Sequence, residues 1–512
     1  MAGGGSRRLM KVLVGALVGV LLLCGGGVAV AGWAWTGAVV DTTGQVDFVN
    51  RLAVPPLAES RIDDRGRRVF DLRAQAGRSD FGRGGPTRTW GYNGDYLGPT
   101  LRAKRGEQVM VNVVNGVDEP TSVHWHGMHL PAAMDGGPHQ EVRPGATWSP
   151  QWTVDQPAAT LWYHPHPHGK TERHVYRGLA GMFILDDEPS SRLALPRRYG
   201  VDDIPVIVQD RNFDGDGQFD DGRGQVGGIG VLGDTLLVNG TVGPYLDVST
   251  ERVRLRLLNA SNARTYDFGL ADGRTFALIG TDGGLLPAPY DARRIRLSPG
   301  ERAEILVPMR PGERVTVRSF PPEQYVDFFN SRFTGGDDTF DVLQLRAAGT
   351  LEPAPDLPDR LVPIERLDPR SAATTRQFRL SGRNINGDSM DSDRIDAVVT
   401  KDTTEIWEII KSEGTPHSFH VHDVQFQVLS IDGGEPPVEL RGWKDTVLVA
   451  AGQPIRIIAR FADYADPNVP YMFHCHLLYH EDQGMMGQFV VVEPGQRPGR
   501  PPGAGGGHAR HR

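Results

Sequence analysis

Two turn markers recur along this chain at nearly one interval, and they constrain its fold more than any other feature. Asn-Gly pairs stand at Asn93-Gly94, Asn239-Gly240 and Asn386-Gly387, 146 and 147 residues apart. A glycine turn leading into an alternating run stands at Gly145, Gly300 and Gly452, 155 and 152 residues apart. Asn-Gly is a common turn pair, so one match carries little weight. Two independent markers in step predict three related units. Within each unit apolar residues alternate with polar ones, as at Val109, Val111 and Val113, at Val253, Leu255 and Leu257, and at Ile455 and Ile457. Period two is the pattern of a half-buried strand. The 64 glycines and 38 prolines supply many turns, and the reading is all-β, with three sandwiches. The expected bounds are 45–188, 200–348 and 372–495. A proline-rich linker is expected over 349–371 and a disordered tail over 496–512.

The first 44 residues read as a targeting segment. Arg7-Arg8 and Lys11 precede a run from Val12 to Val40 with no charged residue. Ala29-Val30-Ala31 is a cleavage candidate, and the twin arginine points to the Tat route of export. The alternative is an uncleaved membrane anchor, for which the run is long enough. The formal net charge of −8 excludes a general nucleic-acid binder.

Histidine is concentrated. Ten of the sixteen fall in four motifs: His124-Trp-His126, His164-Pro-His166, His417-x-x-His420-x-His422, and His474-Cys475-His476 with His480. None lies in the middle unit. On a strand, residues i and i+2 share a face, so each His-x-His presents two imidazoles side by side. One such pair is readily a coincidence. Four pairs supply eight imidazoles, too many for one ion and suited to a cluster. His129, His139, His168 and His174 are read as ordinary histidines, and His508 and His511 as tail residues.

Of the two cysteines, Cys24 lies in the apolar run, so a disulfide framework is not expected. Cys475 sits between two histidines and faces away from both on a strand. His480 and Met485 follow it, and His417 completes a His₂Cys set with a weak axial methionine, the blue-copper arrangement. One short peptide then serves two sites. The bond path from the thiolate to either flanking imidazole is about a dozen ångströms.

HWHG, WYHPHPHG, HSFHVH and HCHLLYHEDQGMM resemble, in order and spacing, the four copper signatures of multicopper oxidases, over nearly the whole chain after residue 45. The likeness extends to bacterial copper-efflux oxidases, laccases and bilirubin oxidase. It implies three cupredoxin-like Greek-key β-sandwich domains and four copper ions. The type 1 copper would take His417, Cys475, His480 and Met485. The type 2 copper would take His124 and His420. The type 3 pair would take His126, His164 and His476 on one ion, and His166, His422 and His474 on the other. Copper-free members of the family lack such residues. Asp135 in MDGGP and Glu481 match the family's proton-relay acids. Glu413, four residues before His417, is a weaker candidate, either to accept a proton from a type 1 histidine or to lie near the electron donor.

The implied reaction couples one-electron oxidation of a donor to four-electron reduction of O₂ to water. The donor is expected to be a phenol or aromatic amine, as for a laccase, with Cu(I) or a bilin as alternatives. No methionine occurs between Met309 and Met390, so soft ligands for Cu(I) are scarce there. A noncatalytic blue-copper carrier would leave the eight imidazoles unused. A zinc hydrolase would leave Cys475 and Met485 unused. The protein is expected to be an exported or anchored monomer. Asp210-x-Asn212-x-Asp214 through Asp221 has calcium-loop spacing but follows a strand-like run and lacks the final glutamate, so an acidic turn is expected.

Overall fold

The three Asn-Gly pairs fold as one turn used three times. Asn93, Asn239 and Asn386 each adopt positive φ, at 57°, 50° and 56°. Each side chain reaches back past the strand before it to an earlier one: the amides of Arg73, Ile207 and Arg379 donate to Oδ1 of Asn93, Asn239 and Asn386 at 2.7–2.8 Å. Asparagine tolerates the left-handed region because its short amide bonds locally. The glycine markers also repeat in geometry, with φ of 76°, 90° and 71° at Gly145, Gly300 and Gly452.

The structure is a computed structural model and describes residues 35, 37–222, 228–412 and 414–502. Most of the N-terminal run, Cys24, the cleavage candidate, Glu413, His508 and His511 lie outside the described residues. Among the described residues no helix is long and apolar enough to cross a membrane.

Strands dominate, in six sheets that pack as three cupredoxin-like sandwiches. In the first, a four-stranded sheet runs Leu101–Lys104, Gly181–Asp186, Ala159–His164, His124–His126. It packs on the sheet that contains Arg68–Ser79 and Gln108–Gly116, around Phe70, Val111, Trp125 and Phe183. In the third, a five-stranded sheet runs Ala397–Thr400, Met486–Val492, Tyr471–Cys475, His417–Val421, Thr446–Val449. Its core holds Phe378, Trp407, Phe419 and Phe473 together with Cys475 and Met485. The middle sandwich has sheets of six and seven strands and the largest core.

Three segments add detail to the expected layout. Residues 41–51 run along the middle sandwich, where Asn50–Arg51 pairs in parallel with Pro244–Tyr245. The proline-rich run begins inside the strand Phe340–Glu352 and then packs Leu361 with Leu195, Ile279 and Leu306. The tail is laid down as far as Pro502, whose carbonyl is 3.0 Å from His139 Nδ1. In the acidic loop, Arg264 Nε donates to Asp210 at 2.8 Å. Asp214 Oδ1 accepts from the amides of Asp216 and Gln218, which is an aspartate-capped turn.

Candidate metal centres

Each histidine pair sits at the end of a strand, and strand pairing brings the pairs together. In the first sandwich Trp162 faces His126, and His164 faces His124. In the third, His420 faces His474, and Phe419 faces Cys475. The two strand ends meet across the domain boundary. All eight histidines are buried, and rings from opposite domains stack, His124 on His422 and His126 on His420, both with centroids 3.7 Å apart.

Hydrogen bonds set the direction of the ring nitrogens. The Nδ1 atoms of His124, His164 and His420 face the carbonyls of Asp135, Pro165 and Asp445, at 3.1, 2.9 and 2.8 Å. His422 Nδ1 faces Asp135 Oδ2 at 2.7 Å. His474 Nδ1 and His166 Nδ1 lie 3.2 and 3.4 Å from the Glu481 carboxylate. His126 is reversed, with Nε2 3.1 Å from Asp445 Oδ1 and Nδ1 inward. An oxygen acceptor on one nitrogen holds the proton there and leaves a lone pair on the other. Those lone pairs converge. His474 Nε2 is 3.2 Å from both His166 Nε2 and His422 Nε2. His124 Nε2 is 3.4 Å from His420 Nε2, and His126 Nδ1 is 3.4 Å from His164 Nε2. His476 completes this last group, with ring centroids 5.0 and 5.3 Å from His126 and His164, and neither of its buried ring nitrogens has a hydrogen-bond partner. Facing acceptors with no donor between them repel, and metal cations satisfy such a convergent set of neutral imidazoles.

Burial, and then repulsion by neighbouring rings, keeps six of the described imidazoles, those of His126, His164, His166, His420, His422 and His476, neutral. His126, His164, His420 and His422 titrate well below the ordinary range. His166 and His476 fall to about 3. Neutral imidazole is the ligand form.

The second centre lies on the other face of the strand Tyr471–Cys475. Cys475 Sγ stands 3.3 Å from His417 Nδ1 and 3.7 Å from His480 Nδ1, and the two nitrogens are 3.1 Å apart. His480 Nε2 donates to the Gly228 carbonyl at 2.9 Å, which leaves Nδ1 as the lone pair. Burial pushes the Cys475 thiol up to about 12, so only a bound metal would hold it as thiolate at neutral pH. The three donors suit a soft, thiolate-binding ion, and the eight imidazoles suit several copper-like ions.

A buried charge network, not anticipated from the sequence, backs the histidine cavity. Arg302 of the middle sandwich pairs both its amino groups with Asp445, at 2.7 and 2.6 Å. It also donates from Nε to the Thr160 carbonyl of the first sandwich at 2.9 Å. Lys444 bridges Asp282 and Glu301 at 2.9 and 2.7 Å. The middle sandwich, without a copper-motif histidine, thus ties the two that carry them. Gly300, at φ 90°, passes close enough that an added Cβ would lie 3.1 Å from the His476 ring. Lys411 was also missed. Its Nζ is buried 2.8 Å from His417 Nε2.

Comparison with known proteins agrees with this geometry. Multicopper oxidase family models match residues 74–190 and 356–495. The multicopper oxidase mco of Staphylococcus haemolyticus is 36% identical over 459 residues, 86% of this chain and 93% of that protein. The chain belongs to the multicopper oxidase family. The cell division protein FtsP of Xenorhabdus nematophila is 40% identical to this chain over 452 residues, 87% of this chain and 93% of that protein. The solved laccase-like multi-copper oxidase CueO of Ochrobactrum sp. is 36% identical, with a TM-score of 0.79, 86% of this chain and all of that one covered.

Proposed function

We propose that this protein is a laccase-like oxidase that takes single electrons from a phenol or aromatic amine and reduces O₂ to water. The observation that carries the reading is the segment His474–His476 at the end of the strand Tyr471–Cys475, whose middle residue belongs to one donor set and whose flanking residues belong to the other. Copper, when bound, would supply one-electron chemistry at Cys475 and oxygen reduction at the histidine cavity. His417, Cys475, His480 and Met485 would hold the type 1 ion. His124 and His420 would hold the type 2 ion. His126, His164 and His476, and His166, His422 and His474, would hold the type 3 pair.

The protein supplies proton handling and rigidity. Asp135 contacts His422 and lies 3.4 Å from His124 Nδ1, and Glu481 faces His166 and His474. Both acids stand where protons consumed in oxygen reduction must arrive. The stretch between Met309 and Met390 holds no methionine, which supports an organic donor over Cu(I), because soft thioether ligands select Cu(I). The FtsP relatives favour a second reading, a role in cell division without oxidase chemistry. The full buried donor set in this chain supports the oxidase. Export by the Tat route, or anchoring by the N-terminal run, accords with the sequence before Asp41.

A donor panel under air tests the proposal, with oxygen uptake and copper content measured together. Phenols and aromatic amines should give the highest kcat/KM, above bilirubin and Cu(I). A copper-loaded protein that oxidises only Cu(I) would overturn the donor, and one that consumes no oxygen would overturn the enzyme.

A further inference from the structure

Most exposed large apolar side chains of the described residues stand singly, which is ordinary for a protein surface. One segment of the middle sandwich departs from this. Phe328 and Phe329 are 65% and 66% exposed, and Tyr325 beside them is 41% exposed. The helix Phe328–Phe333 carries them. Trp35 packs on this helix, its ring 5.5 Å from Phe328, 5.5 Å from Phe329 and 6.1 Å from Phe333. Arg332 donates to the Trp35 carbonyl at 2.8 Å and lays its guanidinium 4.5 Å from the indole centroid.

The patch is braced. Asp327 caps the helix by accepting from the amides of Phe329 and Asn330 at 2.9 and 3.1 Å. Gln324 and Thr334, both buried, exchange hydrogen bonds across its base at 3.1 and 2.6 Å. A braced loop that holds two phenylalanines in water incurs a solvation cost with no return inside the fold.

What precedes Trp35 identifies the partner. The chain arrives from the uncharged run that begins at Val12, and about 20 apolar residues suffice to span a bilayer core. A few residues beyond Trp35 the chain is fixed to the middle sandwich, where the Val40 amide donates to Asp338 at 2.7 Å and Thr42 to the Thr339 carbonyl at 3.0 Å. Five residues of extended chain reach at most about 17 Å. A run that enters a bilayer therefore leaves it beside this helix. Aromatic rings with a neighbouring arginine are the side chains that settle at the interface between lipid and water.

We propose that the helix Phe328–Phe333, with Trp35, is a membrane-surface contact that seats the protein on a phospholipid bilayer beside its N-terminal run. The seat fixes the orientation of the middle sandwich to the membrane. It rests on the exposed rings and the chain path, and not on the oxidase reading.

Spin labelling of the full chain tests it. A nitroxide is placed at Phe328→Cys in a Cys24→Ser background, with Cys475 buried, and a control label at Ile62→Cys, an exposed site of the first sandwich. Oxygen uptake and colour check that each labelled protein is intact. With vesicles of phosphatidylcholine and phosphatidylglycerol, the ratio of accessibility to oxygen over a water-soluble nickel complex should rise severalfold at 328 and stay constant at 62. An unchanged ratio at 328, in a chain that floats with the vesicles or fails to float, overturns the proposal. A label at 328 that is shielded from both reagents without vesicles also overturns it, since the chain's own N-terminal run or a second copy would then cover the patch.

Discussion

The two donor sets share a strand and differ in nearly everything else. The Cys475 set comes from one sandwich, within residues 417–485, and among the described residues no carboxylate is hydrogen-bonded to its imidazoles. Their outer edges meet Lys411 and a backbone carbonyl. The eight-histidine set spans two sandwiches and is backed by Asp135, Glu481 and Asp445. On the proposed reading the Cys475 centre only passes electrons, and a single-domain frame holds its donors rigid. On the same reading the histidine centre reduces oxygen and must receive protons, and Asp135 and Glu481 stand against its rings.

The largest expected effect breaks the pairing of the two centres. Cys475→Ser replaces a soft thiolate with a hard hydroxyl. The intense visible band and all oxidase activity should vanish, while the histidine cavity still loads copper. Absorbance, oxygen uptake and metal analysis read the three quantities. A variant that stays blue would remove Cys475 from the first centre.

The next change touches protons alone. Asp135→Asn keeps an oxygen facing His422 but cannot relay a proton. Turnover should fall by about 10²–10⁴. Bleaching of the visible band by donor under argon should keep its rate, since His417, Cys475 and His480 are untouched. If bleaching slows as much as oxygen uptake, Asp135 serves the donor side instead.

Arg302→Met asks whether the middle sandwich matters to the cavity. Removing one partner of a buried ion pair costs about 3–5 kcal/mol, because Asp445 is left uncompensated. Thermal unfolding should show this loss. Copper content should fall at the histidine cavity, where Asp445 holds His126, and the Cys475 band should persist. Equal loss at both centres would mean that Arg302 supports the fold in general.

These networks mark what the sequence hides. The histidine motifs and Cys475 stand out because a strand repeats every two residues and ligands on one face share that spacing. The triple turn stands out because only a few residue types tolerate positive φ. Arg302, Asp445 and Lys411 carry no such period. Their partners lie on other strands or in other sandwiches, and Asp445 in WKDTV is ordinary until the fold places it against His126. The path of residues 41–51 along the middle sandwich is hidden for the same reason, since pairing between distant strands leaves no local mark.

Acid should separate the copper-free from the loaded protein. His166 and His476 titrate near 3 in the fold against an ordinary 6.5. As pH falls below 6.5, the unfolded chain takes up protons that the fold refuses. Stability is therefore full above that value and is lost progressively down to about pH 3. Each such imidazole contributes a slope near 1.4 kcal/mol per pH unit. The melting temperature of copper-free protein should fall steadily from pH 7 to pH 4. A flat profile would mean that these rings are not buried neutral.

The smallest effect tunes the first centre without breaking it. The axial ligand of a His₂Cys copper site sets its potential, and either Met485 or Met486 has the spacing. Strand register separates them. Met486 lies opposite His474 in the antiparallel pair, and directly opposed residues point to one side of the sheet. That side is the histidine cavity. Met485 precedes it, accepts the Cys475 amide on its carbonyl at 3.1 Å, and is buried in the same core as Cys475. Met485→Leu should therefore raise the potential while the band and the copper content survive, and activity should shift among donors. Met486→Leu should leave the potential where it is. A redox titration that finds the shift in Met486→Leu, or in neither variant, would show that Met485 is not axial and that the register misplaces it.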